Sequence, residues 1–180
     1  MLTRLFRLRS FISNCRAQPF AAALAISAGE TYACSLEEEA QMLAILPKPA
    51  ATVVAAAAFT GARRGEIGGF TWANYNGSEI RVEKSVWRSQ PGEPKRPKSK
   101  GAIPVIAQLK LRLDQHWERC GKPRTGFIFC SELGNPMNLE ALALDVVRPA
   151  LEKANLSWHG WHAFRRGLAQ ICTDSEFPTR

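Results

Sequence analysis

Residues 50–59 read AATVVAAAAF and carry no charge. An alanine-rich run of this kind is a strong helix former. A helix that is apolar on every side has to be enclosed by other elements, so the rest of the chain must be built around it. Its limits are marked in the sequence. Pro47 and Pro49 stand before it and Gly61 after it, residues that stop or end helices.

The neighbouring elements follow from local signals. Ser35-Leu36-Glu37-Glu38 is a capping box, which predicts a helix running to about Leu46. Residues 63–68 begin a short helix after Gly61. Residues 80–87 alternate apolar and polar side chains, as a strand does, and residues 102–106 predict a second short strand. Residues 88–101, between them, are rich in Pro and Lys. Together these stretches predict a β-hairpin with a basic tip or edge. Further helices are expected over residues 109–120, where the pattern is amphipathic, and from the cap Asn138 to about Ala154, with a kink or break at Pro149. Residues 127–129 form a short buried strand or extended segment between them, and a last helix carries His162 and Arg165. The fold class is α+β, mainly α-helical, with a small antiparallel hairpin or sheet carrying a lysine loop. No internal repeat or low-complexity linker is visible.

A chain of 180 residues allows one domain, or a domain with extra pieces. Residues 1–30 stand apart. They hold Arg4, Arg7, Arg9 and Arg16, no acid before Glu30, and an apolar stretch over residues 20–28. Their composition fits a transit or signal peptide, a poorly ordered tail, or the remnant of a preceding domain. The five cysteines are odd in number and show no Cys-x-x-Cys, which argues against a disulfide framework or a zinc finger and for reduced thiols in a cytoplasm. No apolar run reaches the length of a membrane span.

The net charge is +8, and a pI near 9.6 is the footprint of a nucleic-acid binder. The charge is concentrated. Residues 84–124 contain eleven Lys and Arg against three Asp and Glu, an excess equal to that of the whole chain. Such a segment reads as a phosphate-facing surface.

Three stretches place basic side chains where they suit a phosphate. Trp161-His162-Ala163-Phe164-Arg165-Arg166-Gly167 puts His162 and Arg165 on one helix face, an imidazole beside a permanent guanidinium. Thr60-Gly61-Ala62-Arg63-Arg64-Gly65-Glu66 puts Arg63 and Arg64 at a helix start, where a donor fork adjoins unpaired backbone N–H groups. The alternative there is a surface turn whose arginines pair with Glu66. Residues 93–105 place Lys95, Lys98 and Lys100 on a short loop, read either as a solvated basic loop or as the source of a lysine that enters a groove. His159 and His162 have a spacing that two metal ligands could use, but no third ligand cluster accompanies them, so no metal is expected. The tryptophans read as core packing.

Taken together, these stretches resemble the catalytic domain of the tyrosine recombinases, the phage integrase family. Thr60 to Glu66 is similar to the family's Thr-Gly-x-Arg-x-x-Glu box. Lys95, nine residues before Pro104, is similar to its hairpin lysine, with Arg96 where threonine is usual and Lys98 as the second candidate. His162 to Arg165 is similar to its His-x-x-Arg box. The resemblance implies a domain over residues 31–169, preceded by the atypical segment 1–30 and followed by a divergent tail, residues 170–180. It implies phosphodiester transesterification on double-stranded DNA of the attachment-site type, with other recombinase protomers as partners, and no metal or nucleotide cofactor. Arg63 and Arg165 would clamp the phosphate oxygens, a term of preorganised charge. Lys95 would protonate the leaving 5′-oxygen. His162 would hydrogen-bond the phosphate or shuttle a proton, Glu66 would support Arg63, and Arg64, Lys98, Lys100 and Arg166 would hold the DNA.

The sequence departs from the family after Ala169. The family continues with an Arg-His-like box and a nucleophilic tyrosine, whereas the only tyrosines here are Tyr32 and Tyr75, neither in that position. The expectation is a truncated integrase with no nucleophile of its own, inactive alone, either completed by a partner's tyrosine or acting as a non-catalytic DNA-binding remnant that interferes with an intact integrase. Apolar surface near Leu168 and Ile171 is then expected to be exposed.

Overall fold

The computed structural model describes residues 32–87, 90–92 and 101–176. Helix α1, Leu36–Ile45, starts at the capping box: Ser35 Oγ accepts the Glu38 N–H at 3.2 Å, and the Glu38 carboxylate accepts the Ser35 N–H at 2.9 Å. Beyond Pro47 and Pro49 the chain enters α2, Ala50–Thr60, in which residues 50–58 are all buried. It ends at Gly61, held at φ 59° in the left-handed region that glycine adopts without steric cost. Helix α3, Arg64–Gly68, follows, then a 3-10 turn at Trp72–Asn74.

Among the described residues the β part has four three-residue strands, β1 Glu79–Arg81, β2 Ser85–Trp87, β3 Gln90–Gly92 and β4 Ala102–Pro104. Strand β1 pairs antiparallel with β4, with Ile80 opposite Ile103. Strand β2 pairs antiparallel with β3, with Val86 opposite Pro91. The single strand expected over residues 80–87 is therefore two, in different sheets. The β1–β4 ladder runs out where the Val82 N–H reaches the Gly101 carbonyl. From Lys84 onward the chain lies against α3 instead, where Gly65 and Gly69 carry no Cβ to hold it off.

Helix α4, Ala107–Arg119, buries Leu109, Leu113 and His116. The segment after it is extended, as expected: Phe127 bridges Thr71, and the Ile128 N–H donates to the Phe70 carbonyl at 2.8 Å. Asn138 caps α5, Leu139–Leu142, by accepting the N–H groups of Glu140 and Ala141. The helix then widens into a π turn, Ala143–Val147, and resumes as α6, Arg148–Lys153. In a regular α-helix the Pro149 ring would meet the carbonyl four residues back and remove a donor. The π turn falls over that carbonyl, so the break precedes the proline and the helix continues through it. Helix α7, Trp161–Glu176, is the last among the described residues.

Helices α1, α4 and α7 all pack on α2, and Phe70, Phe129, Phe164, Ile67 and Leu151 complete the core. Trp72 and Trp161 are buried, and Trp158 packs edge-on against Trp161 at 5.1 Å. Leu168 and Ile171 are half-buried rather than exposed, because α7 runs on unbroken past Ala169 and Leu168 lies against Gly61. No helix among the described residues is long and apolar enough to cross a membrane.

Candidate functional site

The site begins where α2 ends. Thr60 Oγ1 donates to the Ala56 carbonyl at 2.5 Å and accepts the Ala62 N–H at 3.1 Å, closing the helix end. Gly61 then turns its carbonyl toward α7, where Arg165 Nη1 donates to it at 2.6 Å. A Cβ on Gly61 would lie 2.9 Å from Leu168 Cδ2, so the glycine serves both the turn and the close approach of α7.

Arg63 leads into α3. Its backbone N–H donates to Glu66 Oε2 at 2.8 Å, and its Nη1 donates to Oε1 at 2.9 Å. Glu66 is 3% exposed, a buried carboxylate whose two oxygens fix both the backbone and the side chain of one arginine. Arg63 thus pairs with Glu66, as one reading of this stretch expects, while its charge also acts on Arg165 of α7. The next residue, Arg64, forms an ion pair with Glu140 at the start of α5.

His162 and Arg165 come from the first turns of α7. Partial burial, then the positive charges of Arg166, Arg165, Arg63 and Arg64, hold the His162 pKa below the ordinary 6.5. The ring remains exposed, and it is neutral at pH 7 with both a donor and an acceptor nitrogen. Burial and then the neighbouring Arg63 lower the Arg165 pKa, while Glu66 opposes them. The Arg165–Gly61 contact joins two segments far apart in sequence, and their four guanidinium groups, of which Arg63 and Arg64 are paired with Glu66 and Glu140, act electrostatically on one neutral imidazole. Such a cluster favours a ligand with several negative oxygens, which guanidinium forks match in geometry.

Lys95, Lys98 and Lys100 lie outside the described residues. Their approach is described. A Cβ on Gly65 would stand 2.6 Å from Ser85 Oγ and 3.0 Å from the Val86 carbonyl, and one on Gly69 would stand 2.2 Å from the Lys84 carbonyl. The strand entering the lysine segment is therefore seated directly on the helix that carries Arg63 and Arg64.

Both tyrosines are engaged elsewhere. The half-buried Tyr75 reaches Asp114 at 3.5 Å, and burial and that carboxylate push its hydroxyl up to about 12. Tyr32 stacks on His159 with ring centroids 3.4 Å apart and donates its hydroxyl to Glu38, which raises its pKa to about 12. His116, on α4, is buried against the Ile128 carbonyl at 2.7 Å. Among the described residues, no group of three or more His, Cys, Asp and Glu is placed to hold a metal. The sequence reading missed Glu140, the Gly61 carbonyl and the contacts of Gly65 and Gly69. Only Glu140 had a signal, its place two residues after a helix-capping asparagine.

No family model matches the chain, and no curated protein matches its sequence. Solved structures do match its shape. An integrase of the Tn1549 transposon in complex with transposon right-end DNA superposes with a TM-score of 0.67 at 17% identity, over 90% of this chain and 59% of that one. The same integrase with circular-intermediate DNA gives 0.65 at 15% identity, over 94% and 64%. XerA recombinase gives 0.58 at 14% identity, over 78% and 49%. The chain spans between about half and just under two thirds of the length of these proteins. It has the fold of the tyrosine recombinases and integrases, the family that its arginine and histidine boxes resemble.

Proposed function

We propose that this chain binds duplex DNA by seating one backbone phosphate among Arg63, His162 and Arg165, with Arg64 and Arg166 on neighbouring phosphates. The observation that carries this is the convergence of four arginines on a neutral His162, on a fold whose solved neighbours include integrases bound to DNA. Lys98 and Lys100 belong to the same basic surface. The chemistry supported by the site is strand transfer. A tyrosine hydroxyl attacks the phosphorus, the bond to the 5′-oxygen breaks, and the two arginines stabilise the charge that builds on the non-bridging oxygens. Lys95 delivers the proton to the leaving oxygen, the neutral His162 hydrogen-bonds the phosphate or takes up the proton that the attacking hydroxyl loses, and Glu66 holds Arg63 in place. No cofactor enters this scheme.

In this reading neither Tyr32 nor Tyr75 attacks, since their hydroxyls are turned to Glu38 and Asp114, and a tyrosine supplied by another protomer would complete the step. The chain on its own therefore binds DNA without cleaving it. Two measurements test this. In fluorescence anisotropy with a labelled duplex, Arg63→Ala and Arg165→Ala each weaken binding roughly tenfold or more, as loss of a charged hydrogen bond does, and Lys98→Ala weakens it less. On a denaturing gel, labelled nicked duplexes of randomised sequence leave no covalent adduct. Equal affinity in all three variants overturns the site, and an adduct overturns the need for a partner's tyrosine.

A further inference from the structure

We propose that residues 32–34 act as a strap that positions the helix bearing His162 and Arg165, with Tyr32 and Gly167 as its positioning residues. The opposite side of α7 is already held, since Arg165 donates to the Gly61 carbonyl and Leu168 abuts Gly61. The strap supplies the second hold. The Cys34 N–H donates to the Ala163 carbonyl at 3.1 Å, between His162 and Arg165 in sequence. One turn on, a Cβ at Gly167 would stand 2.1 Å from the Cys34 carbonyl oxygen, a separation that only glycine permits. Arg166 Nη1 donates to the Tyr32 carbonyl at 3.4 Å. The Tyr32 ring lies flat on His159, with an interplanar angle of 13°, and its hydroxyl is tied to Glu38 of the α1 capping box.

These contacts join three elements at one point: the start of α1, the loop leading into α7, and α7 itself. Of these contacts only that of Arg166 touches the arginine cluster directly; the others act on it through the placement of α7. The strap fixes how far His162 and Arg165 stand from Arg63 and Arg64, which come from the other segment. Small displacements matter in such a site, since misplacement of about 1 Å can cost on the order of a hundredfold in rate.

This inference takes from the proposed function only what α7 does, and its test needs no DNA. The full chain is isotope-labelled and the His162 imidazole is titrated by NMR in the wild type, Tyr32→Ala, Tyr32→Phe and Gly167→Ala. Burial, the Arg166 and Arg165 charges on α7 itself, and then those of Arg63 and Arg64 across from it hold the His162 pKa below its ordinary value, so a midpoint that moves reports a change in how α7 is seated in the folded protein, whatever the overall stability. The expected result is a midpoint that rises toward the ordinary histidine value in Tyr32→Ala and Gly167→Ala and stays put in Tyr32→Phe, which keeps the stacked ring. If Gly167→Ala does not fold, Tyr32→Ala decides, because Tyr32 is 40% exposed and buries little. An unchanged midpoint in the folded Tyr32→Ala variant overturns the strap. Duplex affinity is measured on the same samples. A risen midpoint with a roughly tenfold weaker duplex affinity supports both readings. A risen midpoint with unchanged affinity keeps the strap and removes the phosphate reading.

Discussion

Glu39 is 3% exposed, and its Oε1 has no hydrogen-bond partner among the described residues. Burial, with the neighbouring Glu38 charge, pushes its carboxyl up to about 8 from the ordinary 4.5, so at neutral pH the folded protein keeps it protonated. In the unfolded chain the group ionises near its ordinary value. The contribution of Glu39 to stability is therefore fully present below about pH 4.5 and is lost progressively as the pH rises toward 8. The loss is on the order of 4 kcal/mol. Glu39→Gln, which stays neutral, should show a flatter dependence of urea midpoint on pH across this window than the wild type. Parallel curves would refute the assignment. Nothing in the sequence announced this residue. Glu39 reads as one more acid in the first turn of a capped helix, and its burial depends on how the start of α1 packs against the rest of the fold. Arg63, His162 and Arg165, by contrast, stood out in the sequence by residue type and spacing, and the fold brings the two segments that carry them together.

At the level of elements, the junction of α3 with β2 links the two halves of the candidate site. Gly68 and Gly69 look alike in sequence but differ in surroundings. A Cβ on Gly68 would meet Val86 Cβ at 3.4 Å, an ordinary contact, whereas one on Gly69 would meet the Lys84 carbonyl at 2.2 Å. Gly69→Ala should destabilise the protein by about 1–3 kcal/mol, the usual cost of forced backbone movement. Gly68→Ala should be neutral or slightly stabilising, since alanine is the better helix former. Urea denaturation of the pair checks this, and equal effects would show that the junction is not tight. The helices were legible to within a few residues because their caps and breakers are local. The division of residues 80–87 into two strands was not, because it depends on which distant backbone each half meets. The same holds for the π turn. Pro149 signals that something must give, and only the packed helix shows on which side.

For the whole molecule the net charge of +8 makes an ionic-strength prediction. Duplex binding should weaken linearly on a log–log plot against salt, with a slope of about −0.9 per phosphate neutralised. Arg165→Ala should lower the magnitude of that slope by about one, and a slope near zero would remove the electrostatic reading altogether. The concentration of positive charge over residues 84–124 was legible from composition, but its shape was not, since composition carries no distances. Helix α2 has a mechanical consequence as well. Six of its eleven residues are alanine, and alanine has no rotamer to change. A core element with so few adjustable side chains has little capacity to absorb a displacement by repacking. It behaves as a stiff spacer between α1, α4 and α7, so a shift imposed on one of them reaches the others as rigid movement and is not dissipated on the way.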